Sequence, residues 1–171
     1  MKNKAHLLYK SLCMFKKIIF ISVVVLTMVA CQGANELTVA TQEETIDSYI
    51  TANYTDDQIV RNGGSNRIIV TPGIASVVVA KGDSVAFYYN GYIFTSKGAG
   101  TQFVSDSTVV AAGEGYMIDG LDKGLTGASL GEECYIIFSA KYGFYNKEVG
   151  LVPAMSPLMY HVLIANIKKK K

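Results

Sequence analysis

The sequence predicts an α+β fold, with several strands and short helices forming one domain behind an N-terminal leader. Three observations carry that expectation. Runs rich in β-branched, aromatic and other apolar residues stand at Arg67–Thr71, Ser76–Ala80, Ser84–Tyr92 and Glu133–Phe138. Ile118, Leu121, Leu125 and Ala128 instead fall at i, i+3, i+7 and i+10, one face of a helix ending near Gly131. A second apolar stripe, Ile46, Tyr49, Ile50 and Tyr54, lies ahead of all the strands.

Residues 1–30 are an address. Ile18 to Ala30 is an almost wholly apolar run preceded by Lys16-Lys17 and followed by Cys31. Such a helix would be roughly 20 Å long, short of the ~30 Å of a bilayer core. A basic start, a short apolar centre and a small residue before the cut describe a secretory signal. The Cys that follows resembles a bacterial lipobox, which makes Cys31 the lipidation site and new N-terminus. A plain signal or a short membrane anchor is the competing reading. Met14-Phe15-Lys16-Lys17 is itself a well-formed start, so Met1 and Met14 both stand as candidate first residues.

Removing the leader changes the charge. Five of the sixteen basic residues precede Cys31, which leaves eleven against fourteen acids. The basic balance belongs to the precursor, and a nucleic-acid partner loses its electrostatic support. The run Lys168–Lys171 reads as a solvated terminus. Of the three cysteines, Cys13 and Cys31 fall in the leader and anchor, so Cys134 has no partner for an internal disulfide. Its apolar run makes it a small buried hydrophobe, and His161 an outward-facing polar residue on a strand. No His, Cys and Asp cluster has metal-ligand spacing, so neither a metal nor a cofactor is expected.

Residues 31–66 read as a tether plus the first helix. Gln32 to Ala40 is small and polar, and Thr41 to Glu44 has capping-box spacing that would start a helix running to about Tyr54. Arg61-Asn62-Gly63-Gly64-Ser65-Asn66 is a turn cluster, and Pro72-Gly73 separates the first two strand runs. Residues 67–171 then form the main domain, in a mature chain long enough for a core of its own. Glycines at 113, 115, 120, 124, 127 and 131 fit no phosphate-cradling spacing and have no βαβ context.

The order of motifs from Gly82 to Ile167 is the most specific signal. It runs GDSVAFYYNGYIF, then Gln102-Phe103, then GEGYMIDGLDKGLTGASLGEECYIIFSAKYGF, and closes with GLVPAMSPLMYHVLIANI. This half of the chain resembles the FK506-binding-protein (FKBP) type of peptidyl-prolyl cis-trans isomerase. The resemblance implies a strongly bent antiparallel sheet of about five strands wrapped around one short helix. It also implies a proline-binding pocket between that helix and the concave face. Carried onto matching positions, the catalytic residues are Tyr89, Phe103 and Tyr142, with the Tyr142 hydroxyl donating to a substrate carbonyl. Met117, Ile118, Leu121 and Tyr160 bind substrate, and Leu151 and Val152 flank the opening. Aligning Tyr142-Gly143 with the family's Tyr-Gly needs about one extra residue before Pro153. The implied ligands are proline-containing segments of unfolded or exported proteins, and FK506-like macrolides bound weakly.

Several pocket positions depart from the pattern. Val104 follows Phe103 where the family usually has Asp, with Asp106 two residues on. Leu121 stands where strong members have Trp, and Thr108 or Val110 is the nearest candidate for a missing aromatic. The expectation is thus an isomerase assisting exported proteins in a bacterial envelope, lipid-anchored on the periplasmic side of the outer membrane. The alternative is a catalytically weak or inactive peptide-binding or chaperone lipoprotein on the same fold.

Overall fold

The computed structural model describes residues 38–171. Helix α1 covers 38–53, and a short 3-10 turn at Asp56–Gln58 leads into the sheet. There follow β1 (Ile59–Asn62), β2 (Ser65–Thr71), β3 (Ile74–Val78), β4 (Ser84–Thr95) and β5 (Gly98–Ala111). Helix α2 (Asp119–Leu125), β6 (Ser129–Leu130), β7 (Glu133–Phe138), a 3-10 turn at Ala140–Tyr142 and β8 (Leu158–Lys168) complete the order. Six strands form one antiparallel sheet in the order β1-β2-β7-β8-β4-β5, and β3 pairs with β6 in a two-stranded sheet.

This is the α+β architecture anticipated, a curved antiparallel sheet with one short helix and an N-terminal helix. The strand count exceeds the expected five because the turn cluster is a hairpin. Asn62 pairs with Ser65 across Gly63 (φ 56°) and Gly64 (φ 93°), the two-residue loop whose twist suits antiparallel strands. The sheet therefore begins ahead of residue 67.

Alternation along the strands builds two cores, one on each face. On the concave face Phe87, Cys134, Ile136, Phe138, Val162 and Ile164 pack under Leu121 and Leu125 of α2. Gly120 and Gly124 give α2 a flat side, since a Cβ on either would collide with Phe138 or Ile136 of β7. On the other face Ile46 and Ile50 of α1 pack against Ile68, Phe94, Ile137 and Met159. The Ile and Tyr stripe of α1 thus finds its partner on the domain's own sheet.

Three local expectations are corrected. Thr41 does not cap α1, because residues 38–40 are already helical and its carbonyl accepts the Thr45 hydroxyl at 2.8 Å. Ala128 is buried but lies beyond α2, which stops at Leu125 ahead of the turn at Gly127 (φ 79°). The strand expected at Ser76–Ala80 sits two residues earlier, at Ile74–Val78, because it pairs only with short β6. The terminal lysines are exposed, as expected of a solvated terminus, and two of them also reach the fold. Lys169 Nζ donates to Val78 O (2.6 Å) and Asp83 Oδ2 (2.7 Å), and the Lys170 amide donates to Asp83 Oδ1 (3.0 Å).

Candidate active site

A hollow of about 350 Å³ opens on the concave face beside α2. Tyr89 of β4, Phe103 and Val104 of β5 and Tyr160 of β8 form its sheet wall. Met117 and Ile118, ahead of α2, and Leu121 within it line the helix side. Phe144, Val149, Gly150 and Leu151 close the rim from the loop before β8. Volume and apolar character suit a small ligand group of side-chain size.

A bulge aims the sheet wall. Gly91 pairs with Val104 but Tyr92 pairs with Gln102, so Phe103 is the extra residue in β5. Such an insertion bends the strand and turns consecutive side chains the same way, and Phe103 and Val104 both reach the hollow. Gly91 makes room for them. A Cβ there would lie 2.6 Å from Val104 Cγ1, 2.8 Å from Phe103 Cζ and 2.9 Å from Tyr160 Cε1. The rings then interlock around Tyr160. Phe103 stands edge-on to it at 5.8 Å, Phe138 stacks behind it at 5.9 Å and Tyr89 lies tilted at 6.1 Å.

Polar contacts fix the helix side. Asp122 accepts the Gly113 and Gly115 amides at 2.7 and 3.1 Å, which ties the loop carrying Met117 and Ile118 to α2. Buried Arg67 donates to the carbonyls of Gly124 (3.0 Å), Thr126 (2.8 Å) and Gly127 (3.0 Å) at the C-terminal end of α2. Its Nε lies 3.1 Å from Glu132 Oε1 without hydrogen-bond alignment, so that contact is Coulombic. The rim is fixed from behind by α1. Gln42 accepts the Ala140 amide (2.8 Å) and donates to the Met155 carbonyl (2.7 Å), and the Ser139 hydroxyl donates to Glu43 (3.1 Å).

The hydroxyls facing the hollow stay protonated. Burial raises the Tyr160 phenol well above its ordinary range, with Tyr89 adding to the effect. Burial also raises Tyr89, helped by the Asp106 charge. Cys134 is a structural thiol, fully buried, its pKa raised first by desolvation and further by the neighbouring Glu132 carboxylate, which keeps it protonated. His161 lies off the hollow, 2.8 Å from Glu133 and tilted against Tyr135 with ring centres 5.0 Å apart.

Of the residues expected at the pocket, Tyr89, Phe103, Met117, Ile118, Leu121, Leu151 and Tyr160 come together around the hollow. Leu121 is its floor, 1% exposed. Two lie elsewhere. Val152 is buried in the core, so of that pair Leu151 is the one at the opening. Tyr142 turns away from the hollow, with its ring over Gly64 and the Lys123 ammonium 4.5 Å from the ring centre. Phe144 takes the place on the rim, and Tyr145 adopts the left-handed φ of 51° that ordinarily favours glycine. The aromatic and turn residue that shape the rim are therefore Phe144 and Tyr145, two positions beyond Tyr142 and Gly143. The signal was the next aromatic in the same run. Asp106 is exposed on β5, so it does not replace a carboxylate at Val104. Thr108 and Val110 face inward on β5 without reaching the hollow. Cys31 lies outside the described residues.

Comparison with known proteins gives a consistent picture. Residues 76–165 match the family model of the FKBP-type peptidyl-prolyl cis-trans isomerases. FK506-binding protein 1 of Aspergillus oryzae is 35% identical over 115 residues, spanning 61% of this chain and 98% of its own length. Peptidyl-prolyl cis-trans isomerase FKBP10 of Homo sapiens is 30% identical over 96 residues, 55% of this chain and 16% of that protein. Among solved structures, the three FKBP domains of wheat FKBP73 superpose with a TM-score of 0.58 at 18% identity. That match covers 66% of this chain and 50% of the wheat chain, and it speaks to the fold.

Proposed function

This chain belongs to the FKBP-type peptidyl-prolyl cis-trans isomerase family, and on that premise we propose that it isomerises X-Pro bonds of exported polypeptides while tethered to a bacterial membrane through Cys31. The observation that carries the reaction is the hollow itself, an apolar cup of about 350 Å³, roomy enough for a proline ring, bounded by Tyr89, Phe103, Leu121 and Tyr160. What supports the tether is the sequence of the leader, Lys16-Lys17, the apolar run and Cys31. The relatives named above are eukaryotic, so the envelope role rests on that leader alone.

The chemistry needs no nucleophile. Cis and trans X-Pro differ by only ~0.5–1 kcal/mol, and amide resonance raises the barrier between them to ~18–20 kcal/mol. The planar amide is more polar than the twisted one, so apolar surroundings favour the twisted transition state. Preference for the transition state over the ground state is what accelerates the step. Each tenfold needs about 1.4 kcal/mol, so desolvation plus one or two hydrogen bonds of ~1 kcal/mol accounts for a useful rate. Phe103 and Leu121 grip the ring, Tyr89 and Tyr160 complete the wall, and the Met117–Ile118 backbone meets the peptide.

The second reading concerns strength, with peptide holding dominant over turnover. Val104 in place of Asp and Phe144 in place of a rim hydroxyl favour it. Nuclear magnetic resonance exchange between cis and trans forms of an Ala-Leu-Pro-Phe peptide, with the full-length chain in mild detergent, decides between them. Acceleration abolished by Phe103→Ala supports the isomerase. Binding without acceleration makes holding the main role, and neither one sinks both. For the tether, Cys31→Ala must lose membrane fractionation and palmitate uptake; a variant that keeps both refutes it.

A further inference from the structure

We propose that the Tyr160 hydroxyl is the polar anchor of this site, donating a hydrogen bond to a carbonyl of the bound proline segment. The inference deepens the isomerase reading and rests on it. Tyr160 is 4% exposed, yet it lines the hollow. Its ring is locked by Phe103, Phe138 and Tyr89, and its hydroxyl has no hydrogen-bond partner among the described residues. A phenol this deeply set yet not sealed keeps one opening, since the sealed unpartnered side-chain atoms among the described residues are Arg67 Nε and Glu132 Oε1. One that opens only into the hollow has its partner supplied by what binds there.

The other candidates for this task fail on geometry. Tyr142 carries its hydroxyl to Gly64, away from the hollow. Phe144 sits on the rim and has no hydroxyl. Tyr89 is less buried and lies across from Asp106, its register partner, so a competing acceptor is at hand. Tyr160 also adjoins Val104, because a Cβ on Gly91 would touch both side chains. The wall thus lacks a carboxylate at Val104 and carries a neutral phenol beside it. A neutral donor whose proton is retained across the physiological range suits a carbonyl, which only accepts. The segment selected is one whose carbonyl next to proline points at β8.

The test compares Tyr160→Phe with Tyr142→Phe in the full-length chain in mild detergent. Both conservative changes keep the ring, and circular dichroism melts verify the fold. The readouts are kcat/KM for the Ala-Leu-Pro-Phe peptide and its Kd from chemical-shift titration. Tyr160→Phe is expected to lower kcat/KM and weaken binding about five- to tenfold, the scale of one hydrogen bond. Tyr142→Phe is expected to leave both within twofold. Equal behaviour of Tyr160→Phe and wild type, with wild type active, overturns the anchor and leaves the isomerase reading intact. A loss confined to Tyr142→Phe overturns it too. A wild-type chain that neither binds nor isomerises overturns both.

Discussion

Gln42 is the point at which α1 reaches the active site, and replacing it by Ala tests whether that helix belongs to the machinery. Its amide bridges the Ala140 N–H and the Met155 C=O, the two stems of the loop that carries Phe144, Val149 and Leu151. Ala140 is fully buried, so its N–H loses the side-chain acceptor that Gln42 supplies. Two hydrogen bonds at about 1 kcal/mol each, plus part of the penalty for a stranded donor, give a loss of about 2–3 kcal/mol. For a domain of this size that lowers Tm by roughly 8–12 °C. Stability alone leaves activity untouched at 15 °C, where the protein remains folded. Release of the rim does not, and kcat/KM should fall about tenfold, mainly through KM. Gln42→Glu separates the two bonds, because it keeps the acceptor for Ala140 and loses the donor to Met155. Melting curves and the peptide exchange assay are the measurements. A Gln42→Ala protein within ~0.5 kcal/mol of wild type, with unchanged kcat/KM, refutes the idea that α1 shapes the rim.

Two further outcomes follow from close contacts elsewhere. Gly91→Ala drives a methyl into Val104, Phe103 and Tyr160 at once, and overpacking of this kind costs about 1–3 kcal/mol; activity should fall more than tenfold while the fold survives, and a variant as active as wild type would show that the hollow is not the site. Asp83 is held down to a pKa of about 2 by the Lys169 ammonium first, then by the Lys170 and Ala80 amides. A carboxyl whose folded pKa lies below its unfolded value near ~4 stabilises the fold above pH ~4 and loses that contribution as pH falls toward 2. Stability measured from pH 5 to pH 2 should therefore drop less steeply in Asp83→Asn than in wild type, and parallel curves would count against the tail contact.

What the sequence made legible was local and periodic. The alternation of Val85, Phe87 and Tyr89 and the apolar run of β7 are readable because the side-chain period of a strand is two. The α1 stripe is readable for the same kind of reason, although its partner was not. Nothing in Ile46 or Ile50 says which sheet face they cover, since Ile68, Ile137 and Met159 are distant in the chain. Tyr142 shows the limit of motif letters. Tyr142-Gly143 spells the expected pair, but the 3-10 turn at Ala140–Tyr142 rotates that ring toward Gly64. The left-handed residue falls instead at Tyr145, where sequence gives no hint because glycine is the usual occupant. The apolar stripe overruns the helix, which ends at Leu125, because Ala128 stays buried after the turn, so the stripe continues in burial where it no longer continues in helix. Gln42 left no trace at all, since a polar residue on an amphipathic helix ordinarily faces water.

The position of α2 explains why a buried ion pair sits in this core. Replacing Arg67 and Glu132 by well-packed apolar residues would on general grounds cost little stability, because desolvating two charges consumes most of their attraction. That replacement would strand the carbonyls of Gly124, Thr126 and Gly127, which the guanidinium satisfies at the end where the helix dipole is negative. Glu132 in turn accepts the Ser129 amide at 2.9 Å, so the pair ties β2, the end of α2 and the β6 turn together. At the other end Asp122 ties α2 to the loop that carries Met117 and Ile118. A two-turn helix with glycines on its sheet side has little packing of its own to hold its rotation, so Leu121 is aimed by these polar contacts as much as by the core. The floor and helix wall of the hollow are therefore set by buried charge, and its aromatic wall by the space left at Gly91.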